Sequence, residues 1–150
     1  MPDTVTVEDP TGEGPPVEIY VCHCSECRGQ SASAFGISVI VPNDKLRLTE
    51  GTLSKWTRPS DTGGTLDCFF CSVCGTRVWH GNPETDARIS VKGGSLDDTR
   101  WLHPVAHIWL RSAQPWVRID PAEYACFPQE PDDEAALEQR WLEQLRDESR

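Results

Sequence analysis

Basic residues are in short supply in this chain: 14 Lys and Arg face 24 Asp and Glu, a formal charge of −10 at pH 7. Without a basic stripe the surface is a poor match for a phosphate backbone, which argues against nucleic acid as a partner. Long apolar runs are missing too, and no segment approaches the roughly 20 apolar residues that span a bilayer. The opening MPDTVTVEDPTGEGPP has neither the basic start nor the apolar stretch of a secretory signal, and no N-x-S/T acceptor occurs anywhere. These absences point to a cytoplasmic protein in a compartment that keeps thiols reduced. A Gly-rich phosphate loop, a Ser/His/Asp constellation and an internal repeat are also missing.

The charge is concentrated at the ends. Residues 1–16 hold four acids and no Lys or Arg, and residues 130–150 hold eight acids against three arginines, so the middle is nearly neutral. The length of 150 residues suits one domain. We expect a flexible acidic leader at 1–16, a β domain at 17–128 and an acidic amphipathic helix at 129–150. Leu137, Trp141 and Leu145 recur every four residues in that last segment and give one apolar face. Between the ends, short β-rich runs alternate with turn signals: VEIYVCHC, SAFGISVIVP, KLRLTEGTLSKWTR and LDCFFCSVCGTRVWH, then ARISVKGGSLDD and AHIWLRSAQPWVRI. The last of these predicts two strands broken near Gln114-Pro115. The pattern is that of a mainly β fold of coiled antiparallel sheets.

What the chain does have is cysteine in clusters. Cys22, Cys24 and Cys27 form C-x-C-x-x-C, and Cys68, Cys71 and Cys74 form C-x-x-C-x-x-C followed by Gly75. Six of the seven cysteines fall in these two runs, and an odd total fits poorly with a closed disulfide framework. A C-x-x-C turn aims two sulfurs at one point, and thiolates hold zinc tetrahedrally at about 2.3 Å. Zinc is therefore the expected cofactor. Three sulfurs on one ion would leave the fourth position to water or to an incoming thiol. A fourth sulfur from Cys71 or Cys74 would instead close the site, and spacing alone leaves both arrangements open.

The motifs CHCSECRGQSASAF, FCSVCGTRVWH, VKGGSLDD and HIWLRSAQPWV, in that order, resemble the glutathione-dependent formaldehyde-activating enzyme family, which includes centromere protein V-like domains. The resemblance runs from about Val21 to Asp120. It implies an Mss4-like fold, zinc binding and a carbon–sulfur lyase activity on a small glutathione-like thiol adduct. It also implies a catalytic zinc on Cys22, Cys24 and Cys27, and half of a structural zinc site at Cys71 and Cys74. The chain departs from the family in one respect: the upstream C-x-C-G that supplies the other half is missing, since residues 1–21 contain no cysteine. Either Cys68 joins Cys71 and Cys74, or the structural zinc is lost, or the two clusters pool their sulfurs. Mss4-like folds also host non-enzymes, so the alternative function is a zinc-stabilised binding module that docks through its C-terminal helix.

Other residues are weighed in the same way. His107 is the candidate acid/base group, because an imidazole titrates in the useful range. Arg28 and Arg111 are candidates for the carboxylates of the thiol substrate, which a guanidinium fork suits. His23 alternates with its cysteine neighbours and should face away from the metal. His80 and His103 read as surface or loop residues, Asp97 and Asp98 as turn residues, and Cys126 as an incidental thiol. Trp56, Trp79, Trp101, Trp109 and Trp116 read first as core.

Overall fold

The structure, a computed structural model, describes residues 4–7, 18–60, 63–132 and 134–148. Its strands are β1 (Thr4–Val7), β2 (Glu18–Cys22), β3 (Gly36–Pro42), β4 (Leu46–Glu50), β5 (Leu53–Pro59), β6 (Thr65–Cys71), β7 (Arg77–His80), β8 (Arg88–Lys92), β9 (Ala106–Ile108) and β10 (Ala125–Cys126). Two α-helices accompany them, α1 (Ser25–Ser31) and α2 (Glu134–Glu148). The protein is mainly β, as its short alternating runs require. Contacts divide it into two compact units, one made of residues 1–14 and 40–97 and the other of residues 15–39 and 98–150.

In the first unit β5, β6, β7 and β8 follow one another as an antiparallel meander. Alternation is plain in β8, where Ile89 and Val91 turn inward and are almost fully buried. On β7 both Val78 and Trp79 are buried, and Trp79 stands opposite Val91 in the ladder. The β7–β8 connection needs a glycine: Gly81 has φ +106°, and a Cβ there would stand 3.1 Å from Ile89 Cδ1. Asn43 ties this connection down through hydrogen bonds from Nδ2 to the carbonyls of Asp86 (2.8 Å) and Pro83 (3.2 Å). Thr4–Val7, part of the expected leader, forms β1 and pairs antiparallel with β4. Four β-branched residues in a row explain why an acidic segment still makes a strand. The rest of the leader lies outside the described residues.

The second unit departs from pure antiparallel pairing. β9 runs parallel to β2 on one side and to β10 on the other. Each partner is reached through a long connection rather than a hairpin, which is what parallel neighbours need. Ile19, Val21, Val39, Val105, Ala106 and Ile108 form the buried side chains here. Leu137 of α2 is also buried, and α2 packs on β2. The side chains of Trp141 and Leu145 lie outside the described residues. After β9 the chain makes a 3-10 turn at Leu110–Ser112, and Pro115–Ile119 forms no strand. The break falls at Trp109, which adopts φ 58° and ψ 37°, a left-handed conformation that ends a strand at once. Among the described residues no helix is long and apolar enough to cross a membrane.

Candidate metal centre

Strand β2 delivers Cys22 at its end, and the His23 backbone N–H then bonds the Ile108 carbonyl at 3.0 Å, which keeps the chain on β9 for one more residue. Cys24 is the N-cap of α1, with extended φ −64° and ψ 155°. Its sulfur does what Ser or Asp does at other caps: it accepts the Cys27 backbone N–H, at 3.3 Å. Cys27 is thereby placed in the first helical turn, on the side of its capping residue. The three Sγ atoms all lie within 4.8 Å of one another. Sulfurs around a tetrahedral zinc stand about 3.8 Å apart, so the donor set and its spacing both fit a zinc ion. The local N–H groups of a helix start also favour a thiolate there.

Cys22 and Cys27 are buried and Cys24 is half-buried. Together with Ile108 and Trp109 they make a small apolar cluster, against which Tyr20 and Phe127 pack. Contact with the Cys24 and Cys27 thiols, and then burial, push the Cys22 thiol far up. Cys24 also rises overall: contact with Cys22 lowers it, but Cys27 and burial outweigh this. Cys22 and Cys24 thus hold on to their protons unless a cation takes their place. Burial, helped by the charges of Cys22 and Glu130, pushes the Tyr20 phenol up as well, so Tyr20 remains an O–H donor beside the cluster.

Trp109 is held in its left-handed backbone by a strap formed by residues 127–130. The backbone N–H groups of Trp109, Leu110 and Arg111 donate to the carbonyls of Gln129 (3.1 Å), Phe127 (3.1 Å) and Pro128 (3.3 Å). The indole Nε1–H donates to Glu130 Oε1 at 2.8 Å. The Arg111 guanidinium lies over the Trp109 ring, 4.7 Å from its centroid, as a cation–π pair. Arg111 is exposed, so its charge reaches solvent one ring away from the sulfur cluster. Arg28, on α1, is half-buried, and its Nε is buried without a hydrogen-bond partner among the described residues.

His107 takes a different place from the one expected. It alternates with Ala106 and Ile108 on β9, so it lies on the face opposite Ile108 and the cysteines. There its Nδ1 is 2.9 Å from Nε2 of His23, which also points away from the sulfurs. Phe35 packs edge-on against His23 and Tyr124 edge-on against His107. Burial, and then the His23 charge, lower His107 from 6.5 to about 4. The unfolded chain takes up a proton near pH 6.5 that the folded chain refuses. Stability should therefore fall as pH drops from 6.5 towards 4, with no further loss from this group below that. His107→Gln should flatten this part of a curve of thermal midpoint against pH. An unchanged slope would contradict a half-buried His107 that stays neutral in the folded chain.

The second cysteine run is arranged otherwise. Cys68 is buried on β6, and its Sγ turns back to the Leu66 carbonyl at 3.8 Å. Cys71 ends β6 and is 1% exposed, whereas Cys74 stands exposed on the knuckle that follows. Gly75, at φ +76°, closes that knuckle by donating its N–H to the Cys71 carbonyl at 2.9 Å. Among the described residues, no group of three metal-ligating side chains includes Cys68, Cys71 or Cys74. Cys71 and Cys74 are in side-chain contact with each other, and among the described residues no third ligating side chain joins them.

His80 is buried rather than exposed, with Nε2 3.4 Å from Arg77 Nη2. Trp56 and Trp116, expected in the core, are 48% and 68% exposed, while Trp79 and Trp109 are buried. His103 is exposed, Asp98 binds Arg100 within a turn, and Cys126 is exposed on β10. A cavity of 580 Å³ between α2 and the 103–105 and 122–124 segments contains none of the cysteines. Sequence reasoning missed Tyr20, Phe127 and Glu130 as neighbours of the cluster. Tyr20 could have been found, because it alternates onto the Cys22 face of β2; the other two are brought in by tertiary pairing.

Fold and site define a mainly β protein with a three-thiol cluster suited to a metal ion. The model of the family described as glutathione-dependent formaldehyde-activating enzyme matches residues 4–112, and the chain belongs to that family. A crystal structure of a Rhodobacter sphaeroides protein is similar at 16% identity and a TM-score of 0.47, covering 84% of this chain and 92% of that one. No curated protein matches.

Proposed function

We propose that the protein is a zinc-dependent carbon–sulfur lyase that makes and breaks the bond between a small glutathione-like thiol and an aldehyde. The observation that carries this reading is the convergence of Cys22, Cys24 and Cys27, with no fourth ligating side chain in their group among the described residues. Bound by these three sulfurs, zinc would supply Lewis-acid stabilisation to a substrate thiolate. In the forward direction the thiol sulfur bonds the aldehyde carbon, and the thiol proton ends on the former carbonyl oxygen as a hydroxyl.

The chain's own residues contribute position and exclusion of water. Ile108, Trp109, Tyr20 and Phe127 wall the sulfurs with apolar surface, which strengthens every electrostatic contact made inside it. The Tyr20 O–H, kept protonated by burial, is a hydrogen-bond donor to an oxygen next to the reacting carbon. Arg111, set over Trp109, and Arg28, with a buried and unpartnered Nε, are the groups that would receive substrate carboxylates. His107, committed to His23 on the other face, serves in this reading to position the strand end that carries Cys22 and Cys24.

NMR exchange spectroscopy on an equilibrium mixture of glutathione and formaldehyde tests the activity. The zinc-loaded protein should accelerate exchange between free thiol and hemithioacetal, and exchange no faster than in buffer would refute it. Arg111→Ala should raise KM for a carboxylate-bearing thiol about tenfold, the equivalent of one charge-assisted hydrogen bond, with kcat little changed. A fall in kcat at constant KM would place Arg111 elsewhere in the reaction.

A further inference from the structure

We propose that Cys71 and Cys74 form a thiol–disulfide exchange site, separate from the metal cluster, that reacts with small-molecule disulfides such as oxidised glutathione. The pair has the geometry of such a site. Cys74 sits on an exposed knuckle between Val73, which is 74% exposed, and Gly75, so a disulfide can reach it from solvent. Cys71 is buried directly behind it, in hydrogen-bonding contact with the Cys74 thiol. Cys74 Sγ lies 3.1 Å from Thr76 Oγ1. That hydroxyl stands within hydrogen-bonding reach of the sulfur that an incoming disulfide would meet first.

Cys68, the nearest cysteine in sequence, directs its sulfur at a backbone carbonyl, and among the described residues no third ligating side chain meets Cys71 and Cys74. Residues 1–21 carry no cysteine to supply one. Two thiols alone make a poor zinc site, yet an exposed thiol backed by a buried one is what disulfide exchange requires.

The exchange balances without any further reactant. The Cys74 thiolate attacks one sulfur of oxidised glutathione, forms a mixed disulfide and releases one glutathione thiolate. The Cys71 thiol then loses its proton, attacks the Cys74 sulfur and expels the second glutathione. Two protein thiols are oxidised to one disulfide, and one small-molecule disulfide is reduced to two thiols.

The test uses the zinc-loaded, reduced chain incubated with oxidised glutathione, followed by alkylation and peptide mass spectrometry. The wild type should give an internal Cys71–Cys74 disulfide. Cys71→Ser should trap glutathione on Cys74, Cys74→Ser should leave Cys71 unmodified, and Cys68→Ser should behave as wild type. In the reduced protein, Cys74 should be alkylated at least about tenfold faster than Cys71, given its exposure. No adduct on Cys74 in Cys71→Ser, or a disulfide that uses Cys68, would overturn the proposal. So would zinc that stays bound after Cys24→Ser and shields Cys74 from the reagent. None of these outcomes depends on whether the lyase activity is present.

Discussion

Cys24→Ser should leave the protein unable to retain zinc through dialysis, with an affinity lowered more than about a hundredfold. Changes to groups that only support a metal ligand already weaken binding by roughly 10- to 100-fold, and Cys24 would be a ligand itself. It also caps α1 through its contact with the Cys27 N–H. Serine can replace the cap but not the soft thiolate, which makes the substitution selective for the metal. The fold should survive, because the buried strand residues Ile19, Val21 and Val39 lie outside the cysteine cluster. Lyase activity should fall with zinc content. Full zinc retention by Cys24→Ser, measured by elemental analysis, would remove Cys24 from the ligand set.

Trp109→Ala should destabilise the zinc-loaded protein by about 3–5 kcal/mol, the usual range for deleting a buried aromatic side chain. The indole packs with Cys22, Cys27 and Ile108, donates to Glu130 and carries Arg111 on its face. Alanine removes all three contacts and keeps the left-handed backbone, which it tolerates little better than tryptophan does. Trp109→Phe separates the terms. It keeps most of the ring and loses only the hydrogen bond to an exposed carboxylate, so its loss should be nearer 1 kcal/mol. Denaturant unfolding of both variants, compared at unchanged slope, measures the difference. Equal losses would mean that the Glu130 hydrogen bond, rather than packing, holds the ring against the cluster.

The sequence makes some of this legible and hides the rest for physical reasons. The first cysteine cluster is local chemistry: a strand end, a cap and a first helical turn lie within six residues, so spacing alone carries it. The orientation of His23 follows from alternation. The helix α1 does not show, because SECRGQS is short, contains Gly and Ser, and is started by a sulfur cap that no helix propensity rewards. The parallel register of β9 is invisible as well, since it depends on partners more than 80 residues apart in β2. That register decides which face His107 takes, so an alternation argument confined to AHIWL cannot find it. Trp109 reads as strand because its left-handed turn is imposed by the strap at residues 127–130 rather than by its own preference. The family resemblance implies that the second C-x-x-C is half of a metal site, and spacing does not show whether a third donor comes to join its two sulfurs.

In the proposed reading Cys22, Cys24 and Cys27 hold a zinc ion whose remaining position accepts a substrate thiol. Zinc X-ray absorption on the loaded protein, before and after addition of glutathione, tests it most directly. Three sulfurs and one lighter atom are expected at first, then a fourth sulfur at about 2.3 Å once glutathione is present. Four sulfurs in the absence of glutathione, with a spectrum that does not change when it is added, would mean a closed structural site and would contradict the account.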